Sequence, residues 1–181
     1  MIEITSEDTV SEVISRFRCP KDNDIESFLH DKAVLFNRKG KSKTHLILCQ
    51  EALKEGSIDI VAYFSIAIQV LRIPEGTSAT QIKRLDGLYS KRGGESITEI
   101  PSFLIGQLAK NDSSSSISGS MVLEYALSVI SAAEEMVGGR VVYIECRDIP
   151  QIITFYENNG FKIFRCDPDD GLVQMFCVIG K

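Results

Sequence analysis

Tyr156 stands in FYENNGF, residues 155–161, four residues before Gly160 and five before Phe161. A phenol near a helix end either fills core with its ring or offers its hydroxyl to a bound group. A second stretch, NDSSSSISGS at 111–120, separates a strand-like run from a helix-like run. Serines in such a run are either a flexible polar linker or the start of a helix, where free backbone N–H groups favour an anion. The five cysteines, Cys19, Cys49, Cys146, Cys166 and Cys177, include no C-x-x-C pair, and His30 and His45 sit far apart. That pattern predicts reduced thiols in a cytosol and no zinc site. Cys146, Cys166 and Cys177 lie in apolar runs, which predicts inert core thiols.

The net charge of −5 opposes broad nucleic-acid binding, which usually needs a basic surface. Local basic groups remain at Arg38, Lys39, Lys41 and Lys43, at Lys83 and Arg84, and at Lys91 and Arg92. The N-terminal MIEITSEDTV is acidic and has no apolar core, so no signal peptide is expected. Apolar runs are of strand length, too short for a membrane-spanning helix. With 181 residues, of which 44% are hydrophobic, the chain suits one domain, 1–181, with its own core.

These residues need elements to position them. TSEDTVSEVISRF predicts a helix, with Thr5 and Asp8 spaced as a capping box. A second helix starts near Asp24, with Asn23 as cap and Glu26 as its partner. Its face carries Ile25, Phe28, Leu29, Ala33 and Phe36, and Gly40 ends it. Strands follow at 44–49 and 58–68, joined by a hairpin connection, with Ile58, Ile60, Ala62, Phe64, Ile66 and Ile68 on one face. Residues 72–100 predict a polar surface excursion with one short helix around Ser78–Leu88. A strand at 101–110 leads to a helix at 121–136, whose faces carry Val122, Tyr125, Ala126, Val129, Ala133 and Met136, and Leu123, Leu127 and Ile130. Strand 141–146, a helix over 149–159 capped by Asp148, and strands at 161–166 and 172–179 complete the chain. Gly160 supplies the left-handed residue that ends the helix. Strand 101–110, its helix and strand 141–146 form a βαβ unit, so those strands should run parallel.

The element order, the strand ending QLAK before the small-residue loop and the helix MVLEYAL, and VVYIEC before the helix ending FYENNGF together resemble the GNAT-type N-acetyltransferases. The front half, DIESFLHDKAVLFNRKGKSKTHLILC followed by IVAYFSIAI, looks like the toxin-like branch of that family. The resemblance implies an α/β fold (α+β) with a central, mixed and mostly antiparallel sheet flanked by helices, and a parallel strand pair at a cofactor cleft. It implies acetyl-CoA as cofactor and acetyl transfer to a primary amine. It further implies that Leu108, Ala109 and Lys110 lie beside the pantetheine arm, with an amide near Leu108 as oxyanion donor. Ser115, Ser116, Ile117, Ser118, Gly119 and Ser120 would hold the pyrophosphate, and Tyr156 would serve as general acid toward the departing thiolate. Glu145 and Glu99 are the base candidates, each equally readable as surface. The loop departs from the family's Arg/Gln-x-x-Gly-x-Gly/Ala pattern, with Ser114 and Ile117 where Arg/Gln and the central glycine are usual; Gly119 is kept. Ile149 replaces a usual asparagine. Two other readings follow from the same residues: a GNAT-fold CoA-binding or interaction module of little or no catalytic power, and toxin-like acetylation of aminoacyl-tRNA. A homodimer is compatible with either.

Overall fold

The computed structural model describes residues 7–114, 117–167 and 171–180. Its main sheet has six strands: β1 (Lys43–Leu48), β2 (Ile60–Arg72), β5 (Glu99–Lys110), β6 (Val141–Cys146), β7 (Lys162–Cys166) and β8 (Val173–Val178), in the order β1-β2-β5-β6-β8-β7. A small hairpin joins β3 (Lys91–Arg92) to β4 (Glu95–Ser96). The chain divides into two compact units, Met1–Ile66 with Gln107–Leu127, and Ala67–Gly106 with Ser128–Lys181.

The first unit holds the N-terminal helices. Helix α1 (Glu7–Ile14) buries Val13 and Ile14, and Phe17 follows with no exposed surface. Helix α2 (Asn23–Ser27) runs through a π-helical turn, Phe28–Lys32, into α3 (Ala33–Arg38). The expected cap was Asn23. The observed cap is Asp22, whose extended backbone (φ −147°, ψ 95°) lets its carboxylate accept from the Asp24 and Ile25 amides. The turn closed by Asp22 N–H on the Cys19 carbonyl (2.9 Å) selects between the two neighbouring Asx-type residues. Glu26 reaches back to the Cys19 amide instead (2.6 Å). Leu29 and Ala33 pack against Tyr63 of β2, whose ring meets Phe17 edge-on at 5.2 Å and whose hydroxyl donates to the Ile25 carbonyl. Burial raises the Tyr63 phenol pKa above its ordinary range, so it remains a donor.

Strand β1 pairs antiparallel with β2 from Lys43↔Ile66 to Leu48↔Ile60. The connection contains a short helix, α4 (Gln50–Lys54), rather than only a turn. β1 begins opposite Ile66, and beyond that point Ile68, expected on a buried face, is 71% exposed.

In the second unit, residues 72–100 are more than the surface excursion expected. Helix α5 (Ala79–Asp86) is capped by Ser78, whose hydroxyl accepts from the Gln81 amide. Ile82 and Leu85 pack with Leu71, Ile73, Ile97 and Ile100 against Val141, Tyr143 and Phe176. Burying each such side chain contributes roughly 1.5–3 kcal/mol. β5 and β6 run parallel, as the βαβ order requires, paired at Phe103↔Val142 and Leu104↔Tyr143. β6 pairs antiparallel with β8, and β8 with β7. Helix α6 (Gly119–Val137) runs from the first unit into the second and buries Val122, Leu123, Ala126 and Ile130. Its expected core residues Tyr125 and Met136 are instead 48% and 78% exposed.

Candidate functional site

The FYENNGF stretch ends helix α7 (Pro150–Asn158), and its spacing has a geometric cause. Asn159 is the C-cap and Gly160 takes φ +88°, a left-handed value that glycine adopts without the Cβ penalty. The Gly160 amide donates to the Glu157 carbonyl and the Phe161 amide to the Tyr156 carbonyl, both at 3.0 Å. This is a Schellman closure, whose usual companion is an apolar contact between the residues at its two ends. Here those residues are Tyr156 and Phe161, with ring centroids 5.5 Å apart at 64°. Phe155 holds the other side of Tyr156 at 4.9 Å. The Asn159 side chain further ties the end by donating to the Phe155 carbonyl (2.7 Å).

The Tyr156 ring is therefore fixed while its hydroxyl makes no hydrogen bond among the described residues. Burial, with a smaller contribution from the nearby Cys146 thiol, raises the phenol pKa. The group stays protonated at neutral pH and is a donor awaiting an acceptor. Its neighbour Cys146 is itself pushed up to about 11 by burial and by Asp148, so it is a neutral thiol there. Cys146 and Cys177 are half-buried, matching inert thiols, but Cys166, also expected in core, is exposed.

The start of α7 corrects one expectation. The N-cap is Ile149, not Asp148, and it has no side-chain capping bond. Pro150 decides this: a residue before proline is pushed out of the helical region, and Ile149 accordingly sits at φ −120°, ψ 120°. β6, which delivers the chain to α7, leaves β5 after the Leu104↔Tyr143 pair although it continues to Cys146. Among the described residues of the second unit, Ile105 and Gly106 of β5 consequently have no β6 partner. Gly106 lies just past this point, and a Cβ on it would meet only its own neighbour Leu104 within 4 Å. Glycine inside a strand suits the close approach of another backbone or ligand.

Of the two base candidates, Glu145 is exposed on β6 and accepts from the Gln174 amide (2.8 Å). Gln174 in turn accepts from Arg165, which pairs with Asp167 at 3.0 Å. Glu99 begins β5 and is exposed.

The small-residue loop belongs to the first unit. Ala109 is buried in that unit's core, and Leu108 is half-buried. Lys110 does not point its ammonium away; it donates to the Ile117 carbonyl at 3.0 Å. Ile117, in place of a glycine, buries its side chain to 7% exposure, which anchors the loop's end apolarly. Ser118 is the N-cap of α6: its hydroxyl accepts from the Met121 amide (3.2 Å) and its carbonyl from the Val122 amide (3.2 Å). Gly119 and Ser120 are the first two helical residues, and their amides have no intrahelical acceptor. Ser115 and Ser116 lie outside the described residues.

Two residues escaped the sequence reading. Asn111 is 7% exposed and fully engaged. Its amide nitrogen donates to the Ile60 carbonyl (2.9 Å), while its carbonyl accepts from the Ser113 amide (3.2 Å) and hydroxyl (2.8 Å). The Asn-Asp pair after a strand was the available signal, because Asn bonding its own backbone two residues on is a known turn device. Gln107 of β5 has a buried carbonyl oxygen with no hydrogen-bond partner among the described residues; no sequence pattern marks it.

The basic cluster after α3 is exposed, and part of it serves locally. Lys43 donates to the Asn37 carbonyl at 3.4 Å and Lys41 lies over the Phe36 ring at 5.4 Å. No helix among the described residues is long and apolar enough to cross a membrane.

No family model matches the sequence, and no curated protein matches it. Solved structures do. AtaT complexed with acetyl-methionyl-tRNAfMet aligns at TM-score 0.69 and 17% identity, covering 91% of this chain and 86% of that one. A tyrosine-to-phenylalanine mutant of KacT aligns at TM-score 0.71 and 19% identity, covering 98% and 94%. The fold is GNAT-like. AtaTR bound with AcCoA gives TM-score 0.65 at 18% identity over 98% and 92%. The GNAT-like order of strands, with β5 and β6 running parallel, matches the expected fold class.

Proposed function

We propose that this chain is an acetyl-CoA-dependent N-acetyltransferase acting on a primary amine. The observation that carries this reading is the Tyr156 hydroxyl. Its ring is locked by the Schellman closure of α7, its proton is retained, and it has no acceptor among the described residues. Attack of a neutral amine on a thioester makes an oxyanion and then expels a thiolate. A phenol of ordinary pKa about 10 facing a thiol of about 8.5 makes complete proton transfer uphill by roughly 2 kcal/mol. Burial of Tyr156 increases that difference. Its role is thus to donate a strong hydrogen bond to the sulfur as negative charge develops there and the C–S bond breaks.

Acetyl-CoA supplies the activated acetyl group. Main-chain groups of Leu108, Ala109 and Lys110 are the proposed partners of the pantetheine arm, and the Leu108 amide is the proposed oxyanion donor. The orphaned Gln107 carbonyl is an acceptor that an amide N–H of the arm would satisfy. The amides of Gly119 and Ser120 at the start of α6 are the proposed diphosphate donors, with Ser115, Ser116 and Ile117 completing the loop. Ser118 supports them as the cap, its hydroxyl oxygen accepting from the Met121 amide.

Millimolar acetyl-CoA should raise the melting temperature by about 5–10 °C at a hundredfold excess over Kd. No shift at all would sink the cofactor assignment. A more specific reading, acetylation of the amino group on aminoacyl-tRNA, is favoured by the likeness to AtaT, which was solved with acetyl-methionyl-tRNAfMet. Incubation with charged tRNA and labelled acetyl-CoA separates the two, since a general amine acetyltransferase would leave the tRNA unlabelled.

A further inference from the structure

The second unit contains a cavity of about 410 Å³ that shares no residue with the proposed acetyl-transfer machinery. That volume falls within the usual range for small-molecule sites, about 300–1,000 Å³. Its walls carry three charged side chains: Asp86, Glu134 and Arg140. The Asp86 carboxylate is committed, accepting from the Leu88 and Tyr89 amides at 3.3 and 2.8 Å and pairing with Arg92 at 3.5 Å. The other two are not. Arg140 has its Nε fully buried without a hydrogen-bond partner among the described residues. Glu134 and Arg140 line the same cavity, yet they form no ion pair with each other among the described residues.

The backbone around Arg140 is shaped to hold it there. Gly87 sits at φ +96°, and a Cβ on it would overlap the Arg140 guanidinium. Gly180, at φ +81°, leaves room in the same way for the Glu134 carboxylate, 3.2 Å from where its Cβ would stand. Leu85 and Ile100, both buried, add an apolar floor.

A buried guanidinium donor without an acceptor calls for an anionic group, because an unmet buried donor carries its full desolvation cost. The half-buried Glu134 carboxylate, lining the same space and without an ion-pair partner among the described residues, suits a cation. The charges of Arg140 and Glu134 sum to zero. We propose that this cavity binds a small zwitterion with an aliphatic side chain, an α-amino acid, its carboxylate on Arg140, its ammonium on Glu134 and its side chain against Leu85 and Ile100.

The test is thermal shift of the full chain with L-leucine, L-isoleucine and L-methionine at millimolar concentration. Two leucine analogues serve as controls: 4-methylpentanoate, which lacks the ammonium, and 3-methylbutylamine, which lacks the carboxylate. At least one amino acid should raise the melting temperature, neither analogue should match it, and Glu134→Gln and Arg140→Met should each abolish the shift. Glu134→Gln keeps shape and volume, so it reads the site even if Arg140→Met folds poorly. No shift from any of the three amino acids would overturn the proposal. So would an equal shift from 4-methylpentanoate, which would mark a simple anion site, or a shift unchanged in Glu134→Gln.

Discussion

Tyr156→Phe removes one oxygen and leaves everything that fixes the ring. The Schellman bonds run through backbone, and the contacts with Phe155 and Phe161 are made by ring faces and edges that phenylalanine retains. The hydroxyl makes no hydrogen bond among the described residues, so no partner is orphaned by its loss. The expected stability change is within about 0.5 kcal/mol, or roughly 1–2 °C in melting temperature for a chain of this size. The expected catalytic effect is of another order. Loss of a positioned acid costs about 10²–10⁴-fold, equivalent to roughly 3–5 kcal/mol in the barrier. Because the hydrogen bond strengthens only as the thiolate forms, kcat and kcat/KM should fall together. The assay is initial-rate release of free CoA thiol at saturating acetyl-CoA with an acceptor on which the wild type turns over, alongside a melting curve. A variant that melts within about 2 °C of wild type and keeps its kcat would refute the acid role. A variant that loses several degrees would refute the claim that the hydroxyl is idle in the folded chain.

Ser118→Ala should cost about 1 kcal/mol by uncapping α6, seen as a fall of about 2–4 °C in melting temperature; Ser118→Asp should largely restore it. Asn111→Ala should be more severe, about 2–3 kcal/mol, since it leaves the buried Ile60 carbonyl and the Ser113 groups without their partner; chemical denaturation would measure it. Alkaline pH should destabilise the fold. Burial raises the Cys146 thiol to about 11 and Cys177 to about 12, from an ordinary 9.0. The folded state then holds protons that the unfolded state releases, so this stability is complete below pH 9 and lost as pH rises through 11–12. Each such thiol adds a slope of about 1.4 kcal/mol per pH unit within its window, and Cys177→Ala should flatten the profile.

The second half of the chain was far more legible than the first. FYENNGF could be read because one glycine and two aromatics at fixed spacing describe a complete local motif, and VVYIEC could be read because its first four residues, all buried, are an unbroken apolar run. The parallel pair followed from connectivity alone. Errors arose where a local rule met a competing local rule, as when Pro150 displaced the cap from Asp148 to Ile149. Others arose where burial depends on distant cover. Ile68 continues the alternation of β2, but nothing in its own neighbourhood reveals that β1 begins opposite Ile66. Leu71, Ile73, Ile82, Leu85, Ile97 and Ile100 are spread among polar residues, so their common core was invisible until the chain was folded. The π-helical turn at Phe28–Lys32 has no residue signature, because it inserts one extra position into an otherwise regular apolar stripe. Gln107 is a reminder that an unmet hydrogen-bonding atom is a property of packing and never of spelling.

The brevity of the β5–β6 pairing has a consequence for how this sheet breathes. Amide protons secured by a strand partner exchange with solvent only when the ladder opens, whereas those without one are protected only by burial. Just past Leu104, within the second unit, Ile105 and Gly106 of β5 have no β6 partner among the described residues. Deuterium should therefore enter the unsecured amides there sooner than it enters the paired Phe103 and Leu104 segment. A molecule that lies along that edge would slow the uptake locally, leaving its outline in the exchange pattern before any turnover is measured.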